Sequence, residues 1–380
     1  MRIAYLARRP IPSKKAHAVQ IVQMCEAFAH LGHQVRLFAV PGEECCPFDR
    51  YGVDPIFDIE ILPRRAGPFA KPRFLLPLLS RLRAFKPDLF YGRDIVSLAL
   101  ASLIAKPVIY EAHVKPGLKS PRGRLLHWLF ARPNFSHLVC TTSTLADAYR
   151  RDYPALAGKE IMVAPNAAMK RHVNGKKCAQ PAWPGRPGHT QVGFVGRPFP
   201  GKGIEAMINA AEALPPTDFH VVGAVRADVT WVEGVVPANV HFHGYQPHGG
   251  LDRFYEQFDI AAAPYGAEVQ NASGVESADI TSPLKLSEYL AAGLPTIASD
   301  LPGVRDLVGN SGAVALVEPG NHAQFAETVR RLSADPGLRQ QLSLAAKQHY
   351  EALHRLEKRA LRVLQPSLAS AAAIGHTAHP

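Results

Sequence analysis

Residues 191–203 read Gln191-Val-Gly-Phe-Val195 and then Gly196-Arg197-Pro198-Phe199-Pro200-Gly201-Lys202-Gly203, after which Ile204, Met207, Ile208 and Ala211 recur on one helical face. An apolar run, a glycine-rich loop and an amphipathic helix make the first turn of an α/β unit. Glycines at Gly196, Gly201 and Gly203 let backbone N–H groups approach a ligand closely, while Arg197 and Lys202 bring two cations to a helix N-terminus. A diphosphate fits such a loop. The stretch is neither GxGxxG nor a Walker loop ending in Lys-Ser/Thr, so dinucleotide oxidoreductases and P-loop NTPases lack their signatures.

Downstream, Phe219–Gly223, Val240–Gly244 and Ile260–Pro264 are three more strands, each ending where a loop, Gly244 among them, lines the same end of a sheet. His241 and His243 alternate onto one strand face; with no third ligand in view, packing or hydrogen bonding is the preferred reading over a metal. The next informative stretch is Ser282-Pro283-Leu284-Lys285-Leu286-Ser287-Glu288-Tyr289-Leu290-Ala291-Ala292-Gly293-Leu294-Pro295. Ser282 has the residue type of an N-cap and Pro283 of a first helical position, and Gly293 with Pro295 ends the helix. Spaced by three, Ser282, Lys285 and Glu288 share one face. The helix start suits a phosphate, and the carboxylate suits the hydroxyls of a ribose or hexose. A capped surface helix with an i,i+3 ion pair fits the stretch equally well. From Glu327 to about Leu364 the pattern is helical, and residues 367–380 read as a frayed tail.

Upstream, Arg2–Ala7 is a buried strand, a loop follows from Arg8 to Ala16, and a helix with Val22, Cys25 and Ala29 on one face closes at Gly32 before the strand Val35–Val40. Lys86–Tyr91, Pro107–Ala112, His137–Thr141 and Ile161–Ala164 continue the alternation. Both halves therefore predict α/β, doubly wound, Rossmann-like domains, with ligands beyond the carboxyl ends of the strands. There, His17, Arg93 and His113 occupy loops, and His113 just past a central strand suits a sugar hydroxyl or proton transfer. Prolines and glycines between Asn174 and Thr190 mark a linker. The expected division is residues 1–180, 188–350, a C-terminal helix 351–366 packing back on the first domain, and a flexible tail 367–380.

Charge is uneven: residues 1–175 hold 26 Lys and Arg against 13 Asp and Glu, while the remainder holds 17 against 19. Two acid-free stretches, 63–87 and 114–134, mix cations with Phe69, Phe74, Leu75, Leu76, Leu78, Leu79, Leu125, Trp128, Leu129 and Phe130. That mixture suits an anionic membrane surface better than nucleic acid, because aliphatic groups outnumber stacking aromatics and no nucleic-acid motif is present. Five cysteines, an odd number without CxxC spacing, fit a reducing compartment. With no apolar run long enough to span a bilayer and no signal-peptide layout, the expected location is cytoplasmic, peripheral on the inner face of the membrane.

Taken together, Gly196-Arg197 with Lys202-Gly203, Phe242-His-Gly244, Ser282–Pro295 and Ile297-Ala-Ser299 resemble glycosyltransferase family 4, and Pro165-Asn166 and His113 resemble its first-domain elements. The resemblance implies the GT-B fold, two facing Rossmann-like domains with a cleft between them, and retaining sugar transfer from a nucleotide diphosphate donor without an essential metal. It also implies roles: Arg197 and Lys202 at the diphosphate, Lys285 in the donor pocket, Glu288 at the ribose, His113 at the transferred sugar, and His17, Arg93 and Asn166 toward the acceptor. Gly196, Gly203, Gly244, Ser282, Pro283 and Leu284 complete the donor set. Two departures stand out: Ile280 replaces the first of two glutamates with seven residues between them, so that neighbouring Asp279 or backbone amides near Thr281 and Ser282 take over the sugar end, or the pocket recognises a different hexose, and Lys15-Ala16-His17 replaces a glycine-rich loop. A lipid-linked saccharide or surface polysaccharide is the expected acceptor. An epimerase of the same fold and a non-catalytic nucleotide-sugar-binding protein remain alternatives.

Overall fold

A computed structural model of the chain describes residues 1–63, 70–170, 183–232, 234–271 and 274–376. It divides into two compact units, Met1–Pro165 with Leu356–Pro380, and Asn166–Arg355.

In the first unit, β1 (Arg2–Ile11), β2 (Gln34–Pro41), β3 (Asp58–Ile61), β4 (Leu89–Gly92), β5 (Val108–Ala112), β6 (Phe135–Cys140) and β7 (Glu160–Val163) form a parallel sheet. Its order is β3-β2-β1-β4-β5-β6-β7. Connecting helices are α1 (Ala16–His30), α2 (Pro47–Tyr51), α3 (Ala70–Phe85), α4 (Ile95–Ala101), α5 (Pro121–Phe130) and α6 (Ser143–Asp152). Ile3 to Ala7 and all of β5 are buried, as strands covered by helices on both faces must be. Phe74, Leu78 and Leu82 of α3, Leu98 of α4 and Leu126, Leu129 and Phe130 of α5 pack one of these faces.

The second unit repeats the plan. Strands β8 (Thr190–Val195), β9 (Thr217–Val222), β10 (Val240–Phe242) and β11 (Ile260–Ala263) are followed by an antiparallel hairpin, β12 (Glu268–Asn271) with β13 (Gly274–Ser277), and by β14 (Thr296–Ser299) and β15 (Val314–Val317). The parallel order is β10-β9-β8-β11-β14-β15, so chain direction across the sheet reverses between β8 and β11. Helices α7 (Ile204–Ala213), α8 (Asp252–Tyr255), α9 (Leu284–Ala292), α10 (Pro302–Val308), α11 (His322–Ala334) and α12 (Pro336–His349) complete it. The chain then returns to the first unit as α13 (Leu356–His376), which buries Ala360, Val363 and Leu364.

Several expectations change. β1 continues to Ile11 where a loop from Arg8 was expected, and β3, β12, β13, β14 and β15 are additional strands. Four-residue runs such as Thr296–Ser299 are strands because neighbours on both sides pair with them, a signal that local sequence does not carry. The units part at Pro165, not in the proline-rich segment, whose residues 171–182 lie outside the described residues, as do 64–69 of the first basic stretch. Trp183 and Arg186, expected in the linker, pack on the second unit: Trp183 stacks on His220, with ring centroids 4.3 Å apart, and Arg186 pairs with buried Asp218 at 2.7 Å. The tail expected from residue 367 is helical through His376.

Candidate functional site

The second unit's sheet reverses direction beyond the carboxyl ends of β8 and β11, the place where open α/β sheets bind ligands. β8 ends in Val195, whose N–H donates to the Tyr289 hydroxyl from α9 at 2.9 Å, so helix and loop are fixed to each other. The glycine loop follows. Its backbone is pinned from outside: the Gly266 N–H donates to the Gly201 carbonyl at 2.9 Å, the Gln270 N–H to the Pro200 carbonyl at 3.0 Å, and Gly201 N–H to Glu205 at 3.0 Å. At Gly203, φ is +103° and an added Cβ would lie 2.7 Å from the Pro264 carbonyl oxygen; only glycine fits. Phe199 within the loop carries two cations on its ring, Arg197 at 4.7 Å and Lys202 at 4.9 Å from the centroid.

Lys285 is the most informative side chain. Its ammonium is buried without a hydrogen-bond partner among the described residues, 3.4 Å from the Phe194 ring centroid and 5.1 Å from that of Tyr265. A Cβ on Gly196 would come within 2.9 Å of its Nζ, so the cation sits against the loop. Burial, then repulsion from Lys202, holds the amine well below the ordinary lysine range, and Glu288 opposes only in part. Two aromatic faces compensate some of the desolvation but supply no counter-charge.

Glu288 lies elsewhere. It is 3% exposed and accepts hydrogen bonds from His248 and, at 2.9 Å, from the Tyr255 hydroxyl, so the expected shared face with Lys285 is split between two environments. The helix begins one residue later than expected, at Leu284 after Pro283, with no side-chain cap. Ser282 instead accepts from the Asn166 N–H at 3.1 Å, Asn166 Nδ2 donates to the Ser282 carbonyl at 2.6 Å, and Ser287 donates to the Asn166 carbonyl at 2.7 Å. Asn166, expected toward the acceptor, belongs to the second unit and positions α9. Asp279 is exposed in the short turn Ala278–Ile280, and Gly244 ends β10 at φ +63° with its N–H on the Ala224 carbonyl.

His241 and His243 join an aromatic stack, His241 on His220 with ring centroids 5.0 Å apart. His220 bonds His243 at 3.0 Å and Gln191 at 2.7 Å, with Trp183 stacked on both His220 and His243. Burial pushes His243 down to about 4.

In the first unit, β5 delivers Glu111 to the carboxyl edge, 1% exposed. Oε1 accepts from Gln20 at 2.7 Å and His113 Nε2 at 2.5 Å; Oε2 accepts from the Tyr91 hydroxyl and, at 3.2 Å, from Arg359 of α13. Burial alone would raise this carboxyl, yet Arg359, His113 and Arg93 together hold it well below the usual range. His113 is pushed down to about 4 by burial and Arg93 against the pull of Glu111, so it is neutral at pH 7. Its Nε2–H faces the carboxylate, which leaves Nδ1 as an acceptor for a hydroxyl. It is a polar contact at this pH and not an imidazolium. His17 is likewise pushed down to about 3, by burial and then by Arg93, Arg9 and Lys15, and its Nε2 is buried without a partner. Arg93 donates to Gln20 at 3.1 Å.

Phe194, Phe199, Tyr265, His248, Tyr255, Glu111 and Arg359 escaped the sequence reading as site residues. Phe199 sits inside the quoted loop and had a local signal; Arg359, 248 residues from Glu111, had none.

The sequence profile described as "Glycosyl transferases group 1" matches residues 189–335, and "Glycosyltransferase Family 4" matches residues 17–168. D-inositol 3-phosphate glycosyltransferase of Rhodococcus jostii is 25% identical over 271 residues, 64% of this chain and 57% of that protein, so the chain spans little over half the length of that relative. Among solved structures, sucrose-phosphate synthase from Thermosynechococcus elongatus superposes with a TM-score of 0.73 at 19% identity, covering 98% of this chain and all of that one. Anabaena HepE in complex with UDP-glucose gives 0.68 at 16%, covering 97% and 100%. These likenesses show the GT-B fold. Both halves of the chain thus match glycosyltransferase profiles, residues 17–168 that of glycosyltransferase family 4 and residues 189–335 that of the group 1 glycosyl transferases.

Proposed function

We propose that this protein transfers a sugar, with retention at the anomeric carbon, from a nucleoside diphosphate sugar to a saccharide acceptor. The observation that carries the reading is the buried, unpartnered Lys285 ammonium set against the glycine loop beside Lys202. A diphosphate supplies its counter-charge. As the bond from the anomeric carbon to the diphosphate oxygen breaks, negative charge grows on the leaving group, and the preorganised cations Arg197, Lys202 and Lys285 favour that state over the ground state. The acceptor oxygen forms the new bond to carbon and its proton passes to the leaving phosphate. These side chains supply positive charge of the kind that a metal ion supplies elsewhere, and we read transfer as needing no essential metal. His113 Nδ1 accepts from a hydroxyl of the transferred sugar, and His17 and Arg93 face the acceptor.

A lipid-linked acceptor at an anionic membrane fits the first unit. Leu76, Leu103 and Trp128 are 69%, 61% and 41% exposed, and exposed Arg81, Arg83, Lys86 and Lys106 accompany them. Arg2, Arg83, Lys86 and Lys106, with Asp88, also line a hollow of about 340 Å³. Among the described residues no helix is long and apolar enough to cross a membrane, so binding would be peripheral. A thermal-shift panel of UDP-, GDP-, ADP- and TDP-sugars tests the donor reading: one set raises the melting point, whereas no shift with any of them refutes it. Flotation with anionic vesicles at low salt tests the membrane reading; protein left at the bottom refutes that part alone.

A further inference from the structure

The first unit buries two glutamates in opposite electrostatic settings. Glu111 is matched by Arg359, His113 and Arg93. Glu26 of α1 is 3% exposed, yet the charged groups acting on it are both acids, Asp54 and Glu357. Its Oε1 accepts from the Asp54 N–H at 2.6 Å, and Oε2 is buried without a hydrogen-bond partner among the described residues. An ionised, unmatched carboxylate at such a depth is strongly disfavoured, and the structure offers no lysine or arginine for it among the described residues.

One helical turn along, His30 stands on the same face of α1, its Nε2 3.9 Å from Asp54 Oδ2. A ligand atom from each of Glu26, His30 and Asp54 lies within 4.8 Å of the other two. Bonds of about 2.0–2.2 Å to one ion place tetrahedral donors roughly 3.4 Å apart, so the widest separation must close by up to roughly 1.4 Å, and Asp54, on the loop between α2 and β3, is 69% exposed. One imidazole with two carboxylates is a borderline donor set that suits a first-row divalent ion and leaves positions for water.

We propose that Glu26, His30 and Asp54 bind one divalent transition-metal ion, which clamps the α2–β3 loop onto α1. The ion is structural: these residues are separate from the diphosphate cations and from Glu111 and His113, and the proposal does not rest on the proposed transferase activity.

The test is titration of Zn²⁺ into the full chain against a chromophoric chelator. It uses a Cys45→Ser, Cys46→Ser background, because these exposed thiols would otherwise compete. Expected are one site per chain at micromolar or lower dissociation constant, a higher melting point with Zn²⁺, and at least tenfold weaker binding in Glu26→Gln and in His30→Gln. His30, 39% exposed, carries the test if the buried Glu26 variant folds poorly. No stoichiometric site, or undiminished binding in His30→Gln, overturns the proposal.

Discussion

Replacing Lys285 by methionine should move stability and ligand affinity in opposite directions. The ammonium is buried beside Lys202 with no hydrogen-bond partner, and its compensation is two ring faces and part of the field of Glu288. Exchanging a buried charge for an apolar side chain of similar volume stabilises by up to about 4 kcal/mol, from which about 2 kcal/mol of lost cation–π attraction must be taken. A net gain of about 1–2 kcal/mol remains. For a unit of this size each kcal/mol raises the melting point by roughly 2–4 °C. The diphosphate meanwhile loses a charge-assisted contact of about 1.5–3 kcal/mol, so its affinity falls roughly ten- to hundredfold. Differential scanning calorimetry of the free protein and isothermal titration with the best nucleotide sugar read both quantities. A lower melting point together with unchanged affinity would refute the reasoning and make Lys285 a packing residue.

Four further outcomes follow from the same geometry. Gly203→Ala places a Cβ 2.7 Å from the Pro264 carbonyl oxygen at φ +103°, so about 1–3 kcal/mol of stability and most nucleotide affinity should disappear; wild-type values for both contradict the loop's role. Arg359→Met strips Glu111 of its guanidinium and should cost about 3–5 kcal/mol in chemical denaturation, with Arg359→Met/Glu111→Gln recovering part of it; additive losses would dissolve the pair. His137, wholly buried with Nε2 on the Val363 carbonyl, and His113 are each depressed to about 4. The unfolded chain protonates near 6.5 and the folded one does not, so the stability these two histidines contribute is intact above pH 6.5. It falls toward pH 4 by about 1.4 kcal/mol per pH unit per histidine, seen as a dropping urea midpoint that His137→Gln flattens; a constant midpoint would exclude it. His113→Ala should reduce turnover more than donor binding, since Nδ1 is assigned to the sugar, and equal losses would reassign it to structure.

The sequence exposed the fold well where elements are long and self-sufficient. Val35–Val40 and the helix through Val22, Cys25 and Ala29 carry their periodicity locally. Thr296–Ser299 and Asp58–Ile61 do not: four residues become strands only through their neighbours in the sheet. At the site, glycine spacing marked the loop and Gly203 repays that reading with a conformation no other residue fits. The pairing of Ser282, Lys285 and Glu288 failed as a single face because helix spacing fixes where side chains start, not what draws their ends: Lys285 goes to Phe194 and Tyr265, and Glu288 to His248 and Tyr255. The hub at Glu111 was illegible because its strongest partner arrives on α13, after the entire second unit.

The central claim is tested most directly by following free nucleoside diphosphate when the protein is given its stabilising nucleotide sugar with and without a membrane-lipid extract. The account predicts release only with the extract, transfer of labelled sugar into it, and loss of both in Lys202→Ala. Conversion of the donor to an epimer without acceptor, or tight donor binding with no turnover in any extract, would contradict it.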